Sequence, residues 1–111
     1  MTFKNENIMA KEKLIGQATA ELIQEWKAKH GDIFSVKVDG HVCYLHKPSR
    51  RTISYASVAA KTDPLKFNET LLRACWLGGS EAIRNDDDKF LAAGGILDRI
   101  VEIKTAELEK L

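Results

Sequence analysis

Little in this chain advertises chemistry. It has two cysteines and two prolines in 111 residues. Cys43 and Cys75 each sit inside an apolar stretch and neither has a nearby CxxC partner, which argues against a disulfide framework and suits reduced, buried thiols in a reducing compartment. Charge of one sign is missing too. The 17 Lys and Arg against 16 Asp and Glu leave a formal net charge of +1, so no global field favours DNA, RNA or an anionic membrane. No apolar run approaches the roughly 20 residues of a membrane span, and MTFKNENIMAKEK lacks the apolar core of a signal peptide. The expectation is a cytoplasmic protein that does not enter membranes. GxSxG and HExxH are absent, and the glycines of LGGSE and AAGGI match no phosphate-binding pattern. The residues therefore read as a non-enzyme without a cofactor.

What is present is the pattern of a small α+β domain. The length fits one domain able to bury a core without metal or disulfide. Residues 1–9 show no period and predict a mobile arm, leaving 10–111 as a single domain. From Ala10 to about His30 the helical spacing of Ile15, Ala18, Leu22 and Trp26 predicts an N-terminal helix, stopped by Gly31. Asp39-Gly40 then predicts a two-residue turn in an antiparallel β-hairpin over about residues 33–46. That register places Phe34, Val36, Val38, Cys43 and Leu45 on a core face and Ser35, Lys37, Val42, Tyr44 and His46 on the other. With Val42 and Tyr44, the second face is more apolar than a solvated one needs, so it calls for a covering helix or a partner.

The C-terminal half reads as helical. Ser49 is placed to cap a helix from Arg50 to about Lys61, and Asp63-Pro64 to open one carrying Leu65, Leu72 and Trp76, closed by Gly78-Gly79. Ser80 begins a short turn or helix through Ile83. Asn85-Asp86 opens the last helix, with Phe90, Leu97, Ile100 or Val101, Leu108 and Leu111 along one stripe. Gly94-Gly95 within it predicts a kink or a close helix contact.

Three groups are chemically suggestive. His41, Cys43 and His46 are all metal-ligand types, but strand alternation puts His46 on the face opposite His41 and Cys43, so no metal site is expected. Lys47, Arg50 and Arg51 stand at a helix N-terminus, where a phosphate or carboxylate is favoured. Because Arg50 and Arg51 point about 100° apart on a helix, solvated charge is the plainer reading of that cluster. Asp86, Asp87 and Asp88 lack the spacing of a calcium loop and fit capping of a helix start.

Three stretches, KHGDIFSVKVDGHVCYLHKPSRRTISYA, DPLKFNETLLRACWLGGSEAIRNDDDKFL and IVEIKTAELEKL, carry a resemblance. Lys47-Pro48 after a hairpin, Asn68-Glu69, Gly78-Gly79, Asp86 to Asp88 and Glu102-Ile103-Lys104 together resemble small uncharacterised phage and prophage proteins of Bacteroidetes-type bacteria. In size, in strand-then-helix order and in the segment YLHKPSRRTISYA, that group is similar to phage tail assembly chaperones. The resemblance implies a non-enzymatic binding protein that shields a segment of another phage structural protein, such as the tape measure or tail tube, with self-association left open. It assigns no residue roles. Aromatic anchors dominate binding energy, so Val42, Tyr44, Tyr55 and Trp76 are the candidate partner-binding residues. The alternative is a small nucleic-acid-associated phage protein using Lys47, Arg50 and Arg51, which stacking aromatics along a basic face would support better than this sequence does.

Overall fold

The computed structural model describes residues 13–101 and 106–111. The arm expected over residues 1–9 and the Glu102-Ile103-Lys104 motif lie outside the described residues. Asp39-Gly40 sets the architecture. Both residues take positive φ, 50° and 83°, as a type I′ turn requires, and they fold β1 (Ile33–Val38) back on β2 (His41–His46). The register is the expected one: Phe34 opposite Leu45, Val36 opposite Cys43 and Val38 opposite His41.

The fold is α+β, and its sheet is larger than a hairpin. A third strand, β3 (Trp76–Gly79), pairs antiparallel with the free edge of β2, giving the order β1-β2-β3. Leu45 faces Trp76, Tyr44 faces Gly78 and Cys43 faces Gly79, with a register shift between Tyr44 and Leu45. Trp76 and Gly78-Gly79 were expected as a helix end. The helix instead stops at Ala74, and the backbone of the four following residues satisfies its hydrogen bonds against β2.

The N-terminal helix also differs in its start. Helix α1 spans Ala20–His30, and Thr19 caps it by accepting a hydrogen bond from the Leu22 N–H at 3.2 Å. Ala10 to Glu12 lie outside the described residues, but Ile15 is engaged in the sheet. Its N–H donates to the Gly40 carbonyl and its carbonyl accepts from the Val42 N–H, both at 2.9 Å. A residue so paired cannot also supply an i→i−4 helical ladder, so the helical spacing of Ile15 and Ala18 is coincidental.

Local capping explains the other helices. Ser49 Oγ accepts from the Thr52 N–H at 3.1 Å at the start of α2 (Arg50–Ala59). Asp63 Oδ1 accepts from the Leu65 N–H at 3.1 Å at the start of α3 (Leu65–Ala74). A short α4 (Ala82–Asn85) leads into α5 (Asp87–Leu97), where Asp86 Oδ2 accepts from the Lys89 N–H at 3.1 Å. A 3-10 turn, Asp98–Val101, follows. The apolar stripe packs through Ile100 and Val101 but does not take in Leu108 and Leu111, where it was expected to continue. Residues 106–111 hold no regular structure, and both leucines are fully exposed.

The core lies on one face of the sheet. Val36, Cys43 and Leu45 meet Leu71, Leu72 and Cys75 of the α3 segment, with Ile83, Ala93, Leu97 and Ile100 closing the far side. Gly94 is the close contact expected within α5: a Cβ there would stand 2.7 Å from the Asn68 side-chain nitrogen of α3. The opposite face is covered by α1. The Trp26 ring lies 5.4 Å from that of Tyr44, tilted by 41°, and its edge would come within 3.3 Å of a Cβ at Gly78. Among the described residues no helix is long and apolar enough to cross a membrane.

Candidate functional site

The expected contact residues Val42, Tyr44, Tyr55 and Trp76 do not form one surface. Val42 and Tyr44 are 1% and 7% exposed, a correction to their reading as a partner patch: the apolar excess on the second sheet face is taken up by α1. The Tyr44 hydroxyl accepts a hydrogen bond from the Ala18 N–H at 3.2 Å, so both the ring and its polar tip are used internally. Trp76 is half-buried in β3 with the Arg84 guanidinium 4.0 Å from its ring centre, a cation–π contact that occupies that face of the ring. Tyr55 alone projects, 68% exposed.

Around Tyr55 the two helices that follow the hairpin open a cleft of about 320 Å³. Arg51, Thr52 and Tyr55 of α2 form one wall and Thr70, Arg73 and Ala74 of α3 the other. Positions three and four apart share a helix face. Each wall therefore presents one arginine and otherwise small or aromatic groups, so that the cleft is mostly apolar with a cation on either side. Val58 and Leu65, 60% and 50% exposed, add apolar surface on the same two helices. Of the expected anion-binding trio Lys47, Arg50 and Arg51, only Arg51 joins this lining. Its companion is Arg73, whose part spacing along the chain could not reveal, and among the described residues no acid lines the cleft. Arg73 has Glu69 at 3.8 Å, but the pair is exposed and loosely held.

A second cleft, of about 390 Å³, lies where α3 meets α5 and is lined by residues that include Asp63, Lys66, Glu69, Arg84 and Asp87. Its two cations have partners: Lys66 pairs with Glu69 at 3.1 Å, and Arg84 pairs with Glu81. With both signs present in the lining, the cleft selects no ligand charge. Asp86, the first of the acidic run, is engaged by Lys89, whose Nζ lies 3.7 Å from Asp86 Oδ2 and 4.0 Å from Asp39 Oδ2 at the hairpin turn.

The alternation of β2 separates His46 from His41 and Cys43. His41 Nδ1 is 2.7 Å from Ser80 Oγ. On the other face the His46 ring stacks on His30, with centroids 4.8 Å apart, and His46 Nδ1 donates to the Lys47 carbonyl at 2.9 Å. Among the described residues no group of three His, Cys, Asp or Glu converges on a metal position. Both thiols are free and buried. Burial pushes the Cys43 thiol from 9.0 up to about 12 against the opposing pull of Arg84 and a backbone hydrogen bond with Val36, and burial raises Cys75 to about 11. Neither is a thiolate nucleophile at neutral pH.

The linkage has a definite sign. A thiol raised on folding contributes stability that is complete below its unfolded pKa, near 9.0, and is lost as pH climbs towards about 12 for Cys43 and about 11 for Cys75. Urea midpoints are therefore expected to decline as pH rises above 9, and a Cys43→Ala variant to decline less. A midpoint flat to pH 11 would show that the thiols ionise equally in both states. Compared with protein-family models, with curated proteins and with solved structures, the chain matches none.

Proposed function

We propose that this protein is a non-enzymatic phage or prophage binding protein of the tail assembly chaperone kind, working in the cytoplasm to shield a segment of another virion protein. The observation that carries the reading is the cleft between α2 and α3, where Tyr55 stands 68% exposed beside a mostly apolar wall. An exposed aromatic at the mouth of an apolar groove is costly to leave in water and suits capture of an apolar side chain. The resemblance of the chain's size, strand-then-helix order and segment YLHKPSRRTISYA to phage tail assembly chaperones supplies the partner class. The capture surface is thus assigned to the two helices, not to the sheet face that bears Val42 and Tyr44.

The test is co-expression with the tape measure protein of the same phage or prophage, following how much stays soluble and co-purifies. Tyr55→Ala is expected to weaken capture by about 2 kcal/mol, roughly 30-fold, with little change between low and high salt. Lys47→Ala with Arg50→Ala, both outside the cleft lining, is expected to leave capture intact. Capture that ignores Tyr55 but vanishes with Lys47 and Arg50, or with salt, would reject the reading and favour an anionic nucleic-acid partner.

A further inference from the structure

We propose that the cleft between α2 and α3 also receives the C-terminal segment Ala106–Leu111 of a second copy of this chain, so that self-association and client capture compete for one surface. The inference rests on the reading of that cleft as a docking site, and it names an occupant.

Charge and apolar pattern are complementary. The cleft offers Tyr55 and Ala74 together with Arg51 from one helix and Arg73 from the other, and among the described residues no acid in its lining. The segment AELEKL offers two leucines and two glutamates. Wound into a helix at about 100° per residue, Leu108 and Leu111 fall about 60° apart. Glu107 and Glu109 then lie on either side of them, about 70° and 130° from their midline, with Lys110 behind Glu107 and also about 130° from that midline. A leucine pair with an acid on either side thus meets a mostly apolar cleft that carries two bases. Exposed ion pairs contribute little alone, but here they set the orientation of a contact whose affinity comes from the leucines and Tyr55.

The occupant is a second copy because the described residues of the chain leave its own cleft uncovered. Leu108 is 100% and Leu111 107% exposed, and no residue of 106–111 lines the cleft. The segment lacks regular structure here, as expected of a six-residue stretch that cannot hold a helix without a surface to pack on. Docking would order it.

Sedimentation velocity on the intact protein across micromolar concentrations tests this directly. Wild type is expected to associate reversibly as concentration rises. Leu108→Asp with Leu111→Asp, and separately Arg51→Glu with Arg73→Glu, are each expected to weaken association at least about tenfold. All four positions are exposed to solvent or rim the cleft, so far-UV circular dichroism should not change. The decisive arm mixes two charge-reversed chains, one carrying Arg51→Glu and Arg73→Glu, the other Glu107→Arg and Glu109→Arg. Each alone repels itself, and the mixture restores opposite charges at both cleft–segment contacts, so association should return only on mixing. A wild type that stays monomeric, parents that associate as well as wild type, or a mixture that stays monomeric would each overturn the proposal. Hydrogen exchange separates a cleft filled within one chain: protection of 106–111 in a monomer also overturns it. A monomer that still captures the tape measure protein defeats only this inference. Association without capture defeats only the client reading.

Discussion

Tyr44→Ala is expected to lower the stability of the whole domain by about 3–5 kcal/mol, as for truncation of a buried aromatic, against a total of only about 5–15 kcal/mol for a typical domain. Tyr44 holds the second face of the sheet to α1 in two ways. Its ring packs against Trp26 at a centroid distance of 5.4 Å, and its hydroxyl accepts from the Ala18 N–H just before the Thr19 cap. Alanine would leave a cavity beneath α1 and an unpartnered N–H at the entry to the helix. Tyr44→Phe separates the two effects: it keeps the ring and removes the hydrogen bond, and should cost about 1 kcal/mol. Urea unfolding followed by far-UV circular dichroism measures both. A loss below about 1 kcal/mol for Tyr44→Ala would mean that α1 contributes little by lying on the sheet. The result also governs how binding is read, since a chain that fails to capture a client because Tyr44 is gone has lost its fold rather than its contact surface.

How much of this was legible in the sequence depends on how local each cause is. The hairpin was, because Asp39-Gly40 fixes the turn and period-2 alternation fixes the register. So were the caps at Ser49 and Asp86, where one side-chain oxygen and one N–H three residues on settle the helix start. The excess of apolar surface at Val42 and Tyr44 was also visible, and so was its need for a cover. Whether the cover is a helix or a partner was not, because Trp26 lies in α1's own apolar stripe and only the chain path from α1 into β1 brings it over Tyr44. Strand β3 was hidden for a different reason. Trp76 to Gly79 is four residues long and half glycine, without alternation, and its strand geometry comes from the edge of β2. The start of α1 was misplaced by the same non-local cause, the pairing of Ile15 with the strand beyond Gly40. In the site, Arg51 and Tyr55 were recognisable as residue types. Their grouping with Thr70 and Arg73 belongs to the angle between two helices, which no spacing within either helix records.

Gly79→Ala should be at least as damaging to that hidden strand. Gly79 sits at φ 123°, a region that is essentially glycine-only and costs about 1–3 kcal/mol for other residues. Space is also lacking: a Cβ there would stand 2.5 Å from both the Cys43 Cα and the Val42 carbonyl oxygen. These are backbone atoms of the central strand and cannot swing aside as a flexible side chain could. Because Gly79 pairs with Cys43, and the next residue's N–H donates to the Val42 carbonyl at 2.9 Å, the methyl group must push β3 off β2. The combined cost is expected to reach about 3 kcal/mol or more. Amide exchange at Ser80 should rise together with the loss of stability. Gly95→Ala supplies a control of opposite sign. It lies within α5 with no atom near its would-be Cβ, so alanine should stabilise by about 0.5–1 kcal/mol through helix propensity and a less flexible unfolded chain. If both substitutions shift the urea midpoint alike, the pairing of β3 with β2 is wrong, because helix propensity acts at Gly95 alone and only the close approach of two strands separates the two glycines so widely.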